Sequence, residues 1–130
     1  MDERTTGSSA EMPASPATTC VVEERWVGRV AVVAASGVVD MLTAPQLERA
    51  VRVALDEKPA GLVIDFTDVD FLASAGMGVI VAVHEEIGSE MRFCIVADGP
   101  ATSRPLRLVG IADLVKLYAT VDEAMSAMSA

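Results

Sequence analysis

The sequence predicts an α/β protein: one domain with a mixed sheet of about five strands and about four helices packed on it. Three observations predict this. Apolar runs of strand length alternate with segments whose apolar residues recur at helical spacing. The first two runs are separated only by Gly28-Arg29, a hairpin signal that makes them antiparallel. Each later run follows a helix, the order that gives parallel neighbours. A length of 130 residues suits a single domain, and 52% hydrophobic residues supply its core. Aromatics are only 4%, so the core is built from Val, Leu, Ile, Ala and Met.

Residues 1–19 are rich in Thr, Ser, Ala, Pro and acids without periodicity, and read as a disordered arm. The domain then spans 20–130. Cys20–Trp26 reads as the first strand. Val30–Val38 reads as the second, and it is apolar on both faces at Val30–Ala35, so it is internal. Thr43 opens the first helix, with Pro45 in its first turn and Gln46 completing a capping box. Leu47, Ala50, Val51, Ala54 and Leu55 follow at helical spacing, and 58–61 (Lys-Pro-Ala-Gly) stops the helix.

Leu62–Phe66 is the third strand. Ala75–Ile87 is a second helix, apolar nearly all round and therefore largely buried, with Gly88 as its stop. Met91–Ala97 is a fourth strand. Ser103–Val109 is a short helix, Leu114–Tyr118 a fifth strand, and Thr120-x-x-Glu123 a capping box that opens the last helix.

Between the third strand and the second helix stands the most informative residue. Ser74 is expected at the N-cap of that helix, followed by Gly76 and Gly78. A helix start offers free N–H groups and partial positive charge, so a small hydroxyl there is both a cap and a reachable group.

Enzyme chemistry is missing. Leu72 stands where a nucleophile elbow needs glycine. The single histidine, His84, lies ten residues down the same helix, roughly 15 Å along its axis. No Walker phosphate cradle appears. Two cysteines and one histidine make no zinc site, and no cofactor is expected. Asp65, Asp68 and Asp70 alternate like a calcium loop but lack its glycine and glutamate. They read instead as solvating a strand–helix loop, with Val69 and Phe71 buried between them. Cys94 sits in an apolar strand and reads as a small core residue, and nothing marks Cys20 as reactive.

A formal charge of −9 argues against nucleic acid and anionic membrane as partners and suits a basic protein face. No apolar run reaches the roughly 18 residues of a membrane span. No basic-then-apolar leader is present, so a cytoplasmic location is expected.

Two stretches resemble a known family. Gly37-Val38-Val39-Asp40-Met41-Leu42-Thr43-Ala44-Pro45-Gln46-Leu47 is similar to the pattern G-E-L-D-x-x-[ST]-A-P-x-L. Ala73-Ser74-Ala75-Gly76-Met77-Gly78-Val79-Ile80 is similar to D-S-[ST]-G-[LIM]-G-V-[IL]. Over about Cys20–Met128 the chain resembles STAS domains, and among them the bacterial anti-sigma-factor antagonists of actinobacterial type. The resemblance implies a binding protein without catalytic activity. It would engage an anti-sigma factor, often a serine kinase, through Asp40, Thr43, Ser74, Gly76 and Met77, and so free a sigma factor. It further implies that phosphorylation of Ser74 breaks the complex and a serine phosphatase restores it. Ala73 replaces the usual acid before the serine, and Ala75 the second hydroxyl, so Ser74 is the motif's only hydroxyl. STAS domains also serve as scaffold subunits, ligand sensors and transporter tails, the alternative class for this chain.

Overall fold

The computed structural model describes residues 20–129; the arm expected over residues 1–19 lies outside the described residues. The chain forms β1 (Cys20–Val27), β2 (Val30–Val39), α1 (Ala44–Asp56), β3 (Gly61–Leu72), α2 (Ser74–Ile87), β4 (Arg92–Val96), α3 (Ser103–Leu108), β5 (Lys116–Tyr118) and α4 (Val121–Ser129). Sheet order follows chain order, β1-β2-β3-β4-β5. β1 is antiparallel to β2, and every other neighbouring pair is parallel. Gly28 takes φ +59, the conformation that a tight hairpin turn asks of its first residue. β2 is internal, as its two-sided apolarity predicts.

Successive strand residues point to opposite faces, and each face has its own cover. On one face α1 and α2 bury Leu47, Val51, Ile80 and Val83 against Val33, Leu62, Ile64 and Ile95. On the other, Ala124 of α4 packs over Val32, Val63, Cys94 and Val96. Arg52 of α1 bonds Glu86 of α2 and also reaches Glu48 one turn back on its own helix, tying the exposed edges of the two helices.

Four local expectations change. β3 runs to Leu72 rather than Phe66, with two register irregularities against β2, between Ala34 and Ser36 and between Gly37 and Val38. Asp65, Asp68 and Asp70 therefore lie in a strand, not in a loop. Val69 is buried as expected, but Phe71 is 55% exposed, because the extra residues turn it away from the helical layer. Asp65 is buried and accepts bonds from the Thr67 N–H and hydroxyl. Thr43 and Gln46 form no capping box: the Thr43 hydroxyl is held inside the preceding loop, and the Gln46 amide donates to the Cys20 carbonyl. Finally, a 3-10 turn at Ile111–Asp113 shortens β5 to three residues. At α4 the Thr120 hydroxyl does accept the Glu123 N–H, while the Glu123 carboxylate takes the Ala119 N–H.

Candidate functional site

The C-terminal ends of β2 and β3 lie side by side, with Val39 beside Leu72. The chain leaves each strand into a helix at this rim. After β2 the loop closes on itself. Asp40 Oδ1 accepts the N–H of Leu42 at 2.9 Å and of Thr43 at 3.1 Å. Thr43 Oγ1 accepts the Asp40 N–H at 2.9 Å and lies 2.8 Å from the Val38 carbonyl, to which it donates. Both side chains are spent on the loop, and Thr43 is only 8% exposed. Their effect is to present the two residues between them: Met41 is 76% exposed and Leu42 73%.

The second loop is a single residue. Ala73 is extended (φ −87, ψ 171), and its N–H donates to the Val39 carbonyl at 2.8 Å, which fixes the start of α2 against β2. Ala73, not Ser74, occupies the N-cap, and no side chain caps the helix. Ser74 is the first helical residue and exposed. Among the described residues its hydroxyl has no hydrogen-bond partner. Gly76 and Met77 donate their N–H groups back to the Ala73 carbonyl, whereas those of Ser74 and Ala75 precede any intrahelical acceptor.

Gly76 is buried. A Cβ there would sit 2.6 Å from Val39 Cγ1 and 2.7 Å from Leu72 Cδ1, so its role is the close approach of α2 to the sheet. Met77 is half-buried and packs against the main core. Gly78 is different, since a Cβ there would meet nothing within 4 Å. With Met41, Ala44, Pro45, Ala75 and Ala82 it borders a shallow groove of about 310 Å³ between α1 and α2. The structure thus brings Asp40, Thr43, Ser74, Gly76 and Met77 to one rim. It gives exposure to Ser74, partial exposure to Met77, and framework positions to the other three. Met41 and Leu42 were missed in the sequence. The signal for them was present: two apolar residues in a loop too short to bury them.

The two segments that build the rim carry no Lys or Arg. None stands between Arg29 and Arg49 or between Lys58 and Arg92, whereas Asp40 and Asp70 do. Burial is the chief cause that raises the Cys20 thiol pKa, with the Asp40 charge adding and a Thr43 hydrogen bond opposing. Burial pushes Cys94 up to about 12. Neither environment favours a reactive thiolate. His84 is in the last turn of α2, far from Ser74. Among the described residues no group of His, Cys, Asp and Glu side chains could hold a metal ion, and no helix is long and apolar enough to cross a membrane.

Comparison with known proteins decides the family. Residues 22–124 match the family model of the STAS domain. The chain belongs to the STAS family. It is 37% identical over 97 residues to the anti-sigma-F factor antagonist RsfB of Mycobacterium tuberculosis, covering 75% of this chain and 80% of that protein. It superposes with a TM-score of 0.85 on an anti-sigma factor antagonist from Mycobacterium paratuberculosis, at 38% identity, covering 91% of this chain and 100% of that one. The Bacillus cell fate determinant SpoIIAA in its phosphorylated form shares the fold at 18% identity and a TM-score of 0.64, covering 82% of this chain and 97% of that one.

Proposed function

We propose that this STAS domain is an anti-sigma-factor antagonist whose contact with its partner is switched at Ser74. The observation that carries the reading is an exposed hydroxyl with no hydrogen-bond partner among the described residues, set on the first turn of α2 between an apolar shoulder, Met41 and Leu42, and a groove floored by small residues. The mycobacterial antagonists that resemble the chain over most of its length support the class of partner. In this reading the chain acts by binding and catalyses no reaction; a serine-kinase anti-sigma factor would supply the phosphate, a serine phosphatase would remove it, and the sigma factor is freed while the antagonist is bound.

Physical chemistry favours a switch across the interface over one within the fold. A phosphate adds about −1.5 to −2 charges. The start of α2 favours that charge by about 0.3–1 kcal/mol at an exposed position, and Asp40 and Asp70 oppose it. No cation of the rim segments is there to draw the phosphate inward. The domain therefore stays as it is, and the cost falls on a partner that would have to bury a hydrated dianion beside Met41 and Leu42.

Calorimetric titration against the serine-kinase anti-sigma factors of the same cell tests the reading. One of them is expected to bind wild type and Ser74→Ala alike. Ser74→Glu and Leu42→Arg are each expected to bind at least tenfold more weakly, about 1.4 kcal/mol. Unchanged affinity in both variants would remove the proposed surface.

A further inference from the structure

Among the described residues, the sheet face opposite α1 and α2 is only partly covered. α4 lies over Val32, Val63, Cys94 and Val96, and the apolar cluster it closes contains no residue of the edge strand β1 or of the end of β3. In the uncovered part Phe71 stands beside Val38, and Val21 stands beside Ser36, which in turn neighbours Asp68. Phe71 is 55% exposed and Val21 49%, while Val38 is half-buried. Only five residues of the chain are aromatic, one Trp, one Tyr and three Phe, so a half-exposed Phe in mid-sheet is a large apolar surface for the described residues to leave open. The register irregularities between β2 and β3 are what set it there.

The surroundings specify what covers it. Glu23 and Asp68 share this face, and Asp70 is exposed next to Phe71 in the chain. A groove of about 320 Å³ continues from Asp68 past Thr67 to Asp122 at the start of α4. The first cation along the face is Arg25, four residues further along β1 from Val21. An apolar spot ringed by carboxylates complements an apolar side chain flanked by Lys or Arg. Phe71 is also three residues from Ser74, so this face continues the rim through Leu72 and Ala73.

We propose that Phe71, with Val38 and Val21, is a second docking surface for the anti-sigma factor, taking a segment of that partner in which an apolar side chain is flanked by basic residues. The inference rests on the antagonist reading and extends it to the other face of the sheet. A partner held this way grips the rim from both sides, with the face at Ser74 switched by charge and the face at Phe71 supplying an aromatic anchor of the kind that dominates interfaces.

The test is calorimetry of the full chain with the purified anti-sigma factor that binds wild type, at low and high salt. Phe71→Ala is expected to weaken binding at least tenfold while melting within a few degrees of wild type, and Val21→Glu is expected to weaken it as well. Asp68→Asn combined with Asp70→Asn is expected to reduce the salt dependence of affinity. Wild-type affinity in both Phe71→Ala and Val21→Glu overturns the proposal and leaves the switch at Ser74 standing. If no anti-sigma factor binds wild type, the antagonist reading falls and this surface falls with it. Two results assign the face to another occupant and overturn the proposal. One is a shift of the Val38 and Phe71 amide signals of the free chain on removal of residues 1–19. The other is self-association of the free chain that Phe71→Ala abolishes.

Discussion

Gly76 and Ser74 stand two residues apart on α2 and answer to different constraints. Gly76 faces Val39 and Leu72 at distances that leave no room for a methyl group, and both neighbours are buried core side chains. Gly76→Ala is expected to cost about 1–3 kcal/mol through forced repacking, read as several degrees of Tm in a thermal melt. Ser74→Ala is expected to stay within about 0.5 kcal/mol of wild type, since the hydroxyl caps nothing in the described structure. Equal losses in the two variants would contradict this division between packing and recognition. The sequence motif places both residues on one helix start. It does not say which way each one faces, because a residue of helical phase can point to the sheet or to solvent until the first helical residue is known. That residue is Ser74, one position earlier than its capping chemistry predicts, because the Ala73 N–H is held by Val39.

At the scale of elements, the apolar strands and the amphipathic helix α1 were legible, because burial imposes periods of 2 and 3.6 on their residues. The second half of β3 was not. Asp68 and Asp70 read as a loop, yet they lie in a strand that continues along β2, with Val69 and Leu72 turned to the helices and the two aspartates exposed. The same bulged pairing turns Phe71 outward, and a bulge leaves no periodic signal. The Thr43 cap failed for a related reason: the Val38 carbonyl and the Asp40 N–H engage the hydroxyl first. β4 carries a prediction of its own. Its Cys94 thiol is raised by burial from an ordinary 9.0 to about 12. Folded pKa above unfolded pKa means the contribution is complete below pH 9 and is lost as pH rises from there toward 12. Wild type is therefore expected to lose more Tm between pH 8 and pH 10.5 than Cys94→Ala does. Parallel losses would show that this thiol is not protected in the fold.

For the whole molecule, the fold class and the mixed sheet follow from the hairpin at Gly28 and the alternation of helix and strand after it, whereas the spatial order β1-β2-β3-β4-β5 came only with the structure. The partition between the two sheet faces was not readable, because nothing in an apolar strand says which helix covers which side. The composition of residues 1–19 predicts an arm that adds no stability. A chain starting at Thr19 is expected to melt within a few degrees of full length, and a large loss would show that the arm docks on the domain. The acidic balance of the chain, −9 overall with cation-free segments at the rim, fits a basic partner face and predicts affinity that weakens with salt.

The central claim is that one hydroxyl sets the affinity of an otherwise unchanged domain. Its most direct measurement uses the chain incubated with ATP and the proposed anti-sigma kinase, with the site of any phosphate located by mass spectrometry and binding then titrated against the unmodified chain. The expected result is a single phosphate on Ser74, an unchanged melting profile and at least tenfold weaker binding. A phosphate on another residue, or a Ser74-phosphorylated chain that binds as tightly as the unmodified one, would contradict it.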